Sequence, residues 1–204
     1  VPAYTARGPD YAALSPPNYK LAARHRLMTT LNEQFERYHG DQFVEWLNAK
    51  SGSAFAFERR GDPAPDLLYS SPDARLGIEI TGAYYDKEHA KFLWAGARDA
   101  DEAEDGWVGV NPDVGLKNEV LKRISKKSAK DYGEECILLV VIPPGVTSYA
   151  DLSNLLSGCE FGQLHFSGVY VAGKFPNINF DPSTGGYRVL PLKEWEGARA
   201  RTGS

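Results

Sequence analysis

The chain has 204 residues, of which 42% are hydrophobic and 25% charged, and this composition predicts one globular domain with a sizeable core. No stretch approaches the roughly 18–20 uncharged apolar residues that cross a bilayer, so we expect no membrane partner. The formal net charge of −4 excludes a surface coated in positive charge, but it leaves room for one local basic face. The two cysteines form no metal-ligand pattern, which favours reduced thiols in a cytoplasmic protein.

The first part of the chain predicts an arm, a helix and three strands. Residues 1–26 are rich in Pro, Ala and Tyr, which indicates an N-terminal arm with little regular structure. Residues 27–50 have apolar side chains at helical spacing, and Gly40 leaves open whether they form one helix or two. Residues 54–59 alternate as a strand does. The segments around Asp66 and Glu79 follow as strands joined by a turn at 70–73, and the second is expected to reach residue 85.

The second part of the chain predicts alternating helices and strands. An amphipathic helix precedes a continuous apolar run, which is typical of a strand buried on both faces. The expected elements are a helix at 86–98, a solvated acidic loop at 99–105, helices at 113–132 and 149–156, and strands at 136–142, 166–172 and 187–192, the last at an edge. The simplest assembly is an α/β domain over residues 27–194, with a mixed sheet between helices and a C-terminal tail at 195–204.

Asp66 and Glu79 lie in apolar surroundings, where an ionised carboxylate is costly unless it is paired, hydrogen-bonded or bound to a metal. On paired strands these carboxylates can approach each other, and Glu79 shares one strand face with Thr81. Two carboxylates suit Mg²⁺ or Mn²⁺, which keeps several waters and takes further ligands from a phosphate. The pattern therefore predicts a metal site for phosphodiester hydrolysis. A turn role for Asp66 and a buried ion pair of Glu79 with a lysine or arginine remain alternatives.

The residues Pro65-Asp66, twelve intervening positions and Glu79-Ile80-Thr81 resemble the motif of the PD-(D/E)xK nuclease superfamily, which has the restriction-endonuclease-like fold. The order of predicted elements over about residues 27–172 is also similar: a helix, strands with the Asp and the Glu, a basic helix and a buried strand. The resemblance implies a three-layer α/β/α fold with a mixed central sheet. It also implies that Asp66 and Glu79 bind the metal.

Thr81 departs from the motif, because its position would normally hold a lysine. A threonine hydroxyl has no charge and cannot stabilise the negative charge that develops on the phosphate, although it can position a water or a ligand. Some members of the superfamily recruit a lysine from a neighbouring helix instead. Lys122 and Lys126, which lie one turn apart on the basic helix, are the candidates for that role.

The resemblance also implies an acidic metal ligand from the first helix. Four acids are available there, and no motif singles one out: Glu33, Glu36, Asp41 and Glu45. Glu36 is the first choice, since it lies beside the apolar stripe that contains Phe35. Each of the four also fits a solvated position on the helix surface.

The predicted helix at 113–132 carries a local basic face on an acidic chain. Its cationic side chains fit either a solvated helix surface or contact with a phosphate backbone, which requires positive charge but reads no sequence. In the second interpretation the nucleic-acid contacts are Lys122, Arg123, Lys126, Lys127 and Lys130.

These features together predict a Mg²⁺- or Mn²⁺-dependent nuclease that hydrolyses phosphodiester bonds of nucleic acid, with DNA favoured over RNA. The catalytic set is Asp66, Glu79 and Thr81 with Lys122 or Lys126, while Glu36 joins the metal ligands. A homodimer fits the resemblance, because many such nucleases cut two strands as dimers. Two alternatives stay open: a catalytically silent fold that binds nucleic acid or protein, and a toxin or defence effector with the same chemistry.

Overall fold

The computed structural model describes residues 4–6, 31–84, 107–109, 111–130, 132, 135–162, 164–176 and 185–198. Within these ranges the helices are α1 at Leu31–Ser51, α2 at Pro112–Ser128 and α3 at Tyr149–Leu156, with a 3₁₀ turn at Glu196–Ala198. The strands are β1 at Tyr4–Ala6, β2 at Ala56–Arg60, β3 at Leu67–Ser71, β4 at Ala74–Gly82, β5 at Trp107–Gly109, β6 at Cys136–Val141, β7 at Gly168–Lys174 and β8 at Tyr187–Lys193.

Six of these strands form one open mixed sheet in the order β2-β3-β4-β6-β7-β8. The strands β2, β3 and β4 are antiparallel neighbours and form a meander. The strand β6 pairs parallel with β4, and α2 lies in the connection between them, since parallel neighbours need a long crossover. The strand β7 pairs parallel with β6, and β8 closes that edge antiparallel. The strands β1 and β5 pair separately.

The central strand β6 shows why helices cover both faces of the sheet. All its residues are buried, and alternate side chains point to opposite faces. Ile137, Leu139 and Val141 share a core with residues of α1, whereas Leu138 and Val140 share a core with residues of α2 and α3. The fold is therefore α/β, with helices packed on both sides of a mixed sheet, as predicted.

The predicted hairpin around Asp66 and Glu79, the buried strand β6, the helix α3 and the edge strand β8 are confirmed at or near their predicted bounds. The strand β4 ends at Gly82, short of the predicted residue 85, and the Tyr84 ring folds back to 2.7 Å from where a side chain on Gly82 would begin. The predicted helix at 86–98 and acidic loop at 99–105 lie outside the described residues.

Two differences concern the ends of the predicted domain. Residues 4–6, inside the predicted arm, form β1 through backbone pairing with β5. Trp195, at the start of the predicted tail, is buried and packs its ring 5.7 Å from that of Phe55. The packed unit described here therefore includes Trp195.

Both cysteines are free thiols, as predicted, with Cys136 buried and Cys159 half-buried. None of the helices in the described part of the chain combines the length and the apolar composition needed to span a bilayer.

The helix α1 runs unbroken through Gly40, which answers the question of one helix or two. Gly40 lies where α1 crosses β3, so that a methyl group there would collide with Leu67 and come within 2.7 Å of the Tyr69 hydroxyl. Both neighbours are fully buried and packed, so they cannot move aside freely.

We expect Gly40→Ala to destabilise the protein by about 1–3 kcal/mol, because overpacking outweighs the roughly 1 kcal/mol that alanine gains in a helix. Urea unfolding measures this difference. Gly162→Ala is a control for the added methyl group alone, since Gly162 lies outside the helices and nothing lies within 4 Å of its added carbon. Equal or greater stability of Gly40→Ala would contradict the packing argument.

Candidate active site

The β3–β4 hairpin brings the two motif carboxylates to one place in the sheet. Asp66 immediately precedes β3, and Glu79 lies inside β4. The strand register pairs Leu67 with Ile78, so the backbone of Ile80 passes close to Asp66. The Ile80 N–H donates a hydrogen bond of 2.8 Å to Asp66 Oδ2. This bond fixes the Asp66 side chain against the strand that carries Glu79.

The environment of Asp66 is both apolar and negatively charged. The pKa of Asp66 is raised to about 6, chiefly by burial. The charges of Glu79 and Glu36 add to this rise, while the Ile80 N–H and Lys127 oppose it. Three carboxyl groups and one ammonium group therefore act on the same site.

Glu79 is only 5% exposed and has one satisfied and one unsatisfied oxygen. Its Oε1 accepts hydrogen bonds from Lys127 Nζ and, at 3.3 Å, from the Tyr132 hydroxyl. Its Oε2 is buried without a hydrogen-bond partner among the described residues. A buried carboxylate oxygen is costly when it is left unpaired, so this atom indicates a place for a further cationic or hydrogen-bonding group.

Lys127 reaches Glu79 from the last turn of α2. Its side chain is 22% exposed and forms an ion pair with Glu79, which is the buried ion pair that the sequence left open as an alternative. Tyr132 joins them because the chain leaves the helix after Ser128. In a continued helix, residues 127 and 132 would point to different sides. Burial and the negative charge of Glu79 raise the pKa of Tyr132, which favours the protonated hydroxyl that donates to Glu79.

The first-helix acid beside the site is Glu36, which is 7% exposed. Its Oε1 accepts a hydrogen bond of 2.5 Å from the Asn32 amide, and its Oε2 accepts one of 2.6 Å from Arg60. The other three acids have different surroundings. Glu33 lies 3.9 Å from Arg60, Asp41 binds Arg37 and the Tyr69 hydroxyl, and Glu45 is exposed.

The structure separates the predicted lysines. Lys122 is 72% exposed and pairs with Glu119, and Lys126 and Lys130 are also exposed, so none of the three contacts Glu79. Arg123 is half-buried and likewise pairs with Glu119, at 2.8 Å. Lys127, which the sequence grouped with the nucleic-acid contacts, is the lysine at Glu79. Thr81 is half-buried on β4, two residues beyond Glu79.

A pattern in the sequence could have identified Lys127. The buried stripe of α2 is Leu116, Val120 and Ile124, and a further step of three residues reaches position 127. Lys122 and Lys126 lie on another stripe, which faces solvent. Arg60 and Tyr132 carry no comparable signal, because the first depends on the packing of β2 beside α1 and the second on where α2 ends.

The donor set fits a hard divalent cation in its chemistry. Asp66, Glu79 and Glu36 offer only carboxylate oxygens, and Mg²⁺ is usually held by one or two carboxylates together with waters and substrate phosphate. The unpaired Glu79 Oε2 is the atom that such a cation would satisfy. In the arrangement described, no three His, Cys, Asp or Glu side chains of the described residues converge as a ready ligand set. Lys127 and Arg60 engage two of the three carboxylates.

Comparison of the chain with protein-family models, with curated proteins and with solved structures finds no significant match.

Proposed function

We propose that this protein is a metal-dependent nuclease of the PD-(D/E)xK class, in which a lysine from α2 replaces the lysine that the motif lacks. The observation that carries the proposal is the contact of Lys127 with Glu79, next to Asp66. Positive charge is thereby present beside the carboxylates although the motif position is Thr81. An ion pair with a purely structural role would not require a second carboxylate, with a raised pKa, at the same place.

The element order supports the same class. The helix α1, the antiparallel strands β2, β3 and β4, the crossover helix α2 and the parallel strand β6 follow one another as the resemblance implies. The restriction-endonuclease-like fold is therefore part of the proposal. Fold alone supports no activity, so the proposal depends on the site.

Each residue has a defined task in the proposed reaction. Asp66 and Glu79 hold the metal, with Glu36 as a further acidic ligand. Bound Mg²⁺ supplies Lewis-acid chemistry that neutralises charge on the phosphoryl oxygens. The Lys127 ammonium stabilises the negative charge that develops at the phosphate, and Thr81 positions a water or a substrate oxygen. The Ile80 N–H holds Asp66 in place.

The substrate is nucleic acid, with DNA favoured over RNA. The side chain of Lys126 is exposed on α2, the helix that delivers Lys127 to the site, and Lys130 is exposed just after that helix ends. Such lysines attract a phosphate backbone and position it without reading sequence. Contacts of this kind lose strength steeply as the salt concentration rises.

The test is Mg²⁺-dependent cleavage of plasmid and single-stranded DNA by the purified protein. We expect cleavage with Mg²⁺ or Mn²⁺, none with chelator, and none above background for Asp66→Ala or Glu79→Ala. Glu45→Ala is the matched control, because Glu45 is an exposed acid on α1 outside the site. Full cleavage by both Asp66→Ala and Glu79→Ala would refute the mechanism.

One observation favours a second candidate, a silent nuclease-like fold that binds nucleic acid or protein. Glu79 and Glu36 both have cationic partners within the protein, so their charges are compensated without metal. Calorimetric titration with Mn²⁺ separates the two candidates. A silent fold predicts no binding at millimolar metal, whereas the nuclease predicts binding that Glu79→Ala removes.

A further inference from the structure

Glu36, the further acidic ligand of the proposed metal, forms an ion pair with Arg60, a residue that has no role in the proposed reaction. Glu36 is almost fully buried, and its Oε2 accepts a hydrogen bond of 2.6 Å from Arg60 Nη2. The Arg60 side chain is 37% exposed and also lies 3.9 Å from Glu33. The pair therefore joins a buried acid to a cation that reaches solvent.

The position of this pair links it to Asp66. Gly40, one helical turn after Glu36, lies against Leu67 and Ile80. Leu67 follows Asp66 in the chain and the Ile80 N–H donates to Asp66, so the pair is next to that carboxylate, and the charge of Glu36 acts on it. The second Glu36 oxygen is held by the Asn32 amide, a neutral group of the same helix. Of the two partners, only Arg60 brings positive charge to Glu36. A divalent cation that binds the Glu36 carboxylate would have to displace the Arg60 guanidinium or be repelled by its positive charge.

We propose that Arg60 is an internal competitor for the metal: its guanidinium pairs with Glu36 and is released when a divalent cation binds there. This inference rests on the proposed metal-dependent function and adds a regulatory step to it. Release places a second cation, with a fork suited to phosphate oxygens, beside the site. Metal and substrate phosphate therefore favour the same rearrangement, the metal by taking Glu36 and the phosphate by taking Arg60.

The neighbouring residue offers a matched control. Arg59 is on the same strand, β2, but successive side chains of a strand point to opposite faces. Arg59 lies 3.8 Å from Glu58 and has no contact with Glu36 among the contacts described. Loss of Arg59 removes the same charge from the protein as loss of Arg60, without opening the Glu36 pair.

The experiment is calorimetric titration of the full chain with Mn²⁺ in the absence of nucleic acid. We expect Arg60→Ala to bind Mn²⁺ about tenfold more tightly than wild type, because a charged hydrogen bond to Glu36 no longer has to be broken. Arg59→Ala should bind as wild type does. Arg60→Gln, which keeps the side chain without its charge, should also bind more tightly. In a Glu36→Gln background the gain from Arg60→Ala should disappear.

The outcomes separate this inference from the proposed function. Equal Mn²⁺ affinity in wild type, Arg60→Ala and Arg60→Gln would overturn the competition and leave the metal site standing. A gain that persists in the Glu36→Gln background would also overturn it, since Arg60 would not act through Glu36. Absence of Mn²⁺ binding in every variant would overturn both proposals. Binding that appears only after Arg60 is replaced would support the competition.

Discussion

Lys127→Met is expected to lower the rate of DNA cleavage by about 10²–10³-fold, the usual effect of losing one preorganised group that stabilises transition-state charge. Lys127 is the cation that contacts Glu79, and Thr81 cannot replace its charge. Binding of Mn²⁺ should survive, because methionine removes a competing cation and no carboxylate. Loss of cleavage with retention of metal binding distinguishes a catalytic lysine from a structural one.

The same substitution should destabilise the protein by less than the about 3–5 kcal/mol seen when a fully buried ion pair is broken, since Lys127 is partly exposed. Urea unfolding must therefore accompany the kinetics. Lys126→Met is the matched control: the residue is adjacent, exposed and equally charged. It should change cleavage by no more than a few-fold, through weaker attraction of the phosphate backbone.

Lys127→Arg adds a second readout. Arginine keeps a positive charge near Glu79 but places its hydrogen-bond donors differently. We therefore expect Lys127→Arg to retain more of the wild-type stability than of the wild-type cleavage rate. Wild-type cleavage by Lys127→Met would refute the assignment. A rate loss of equal size in Lys126→Met would refute it too, since the effect would then come from general electrostatics.

Asp66→Asn should stabilise the metal-free protein at neutral pH while removing its function. Burial raises the pKa of Asp66 from its ordinary value near 3.8 to about 6. The folded state therefore keeps this proton over a pH range in which the unfolded chain has released it. Asp66 stabilises the fold below about pH 4, and that contribution is lost as the pH rises to about 6. Asparagine is uncharged, as the protonated acid is, so the variant keeps this contribution to stability at every pH.

The measurement is urea unfolding of wild type and Asp66→Asn from pH 4 to 8 without metal. The difference in free energy of unfolding should be small at pH 4, increase up to about pH 6 and then stay constant. Saturating Mn²⁺ should stabilise wild type above pH 6 and leave Asp66→Asn unchanged. A difference that does not vary with pH would show that the environment of Asp66 is not the one described here.

Local sequence patterns were sufficient for most of the described fold. The alternation and apolar runs of β3, β4 and β6 set their burial, and the α2 stripe of Leu116, Val120 and Ile124 set the face that packs on the sheet. These patterns work because each depends on the period of one element. The unbroken course of α1 was not decided in this way, since it depends on the fit of Gly40 against Leu67 and Tyr69.

The same distinction, between the period of one element and the packing of several, applies to the candidate site. The sequence by itself placed Asp66 and Glu79 on neighbouring strands, because their apolar neighbours and the strand period were visible. No motif distinguished Glu36 from the other three acids of the first helix, and the tertiary structure shows that Glu36 is the buried one. Only the tertiary structure decided how the cationic side chains pair with these carboxylates. Lys127 reaches Glu79 because α2 packs over β4 and β6, and Arg60 reaches Glu36 because β2 lies beside α1. Long cationic side chains extend over several positions, so their partners depend on how elements pack and not on their spacing along the chain.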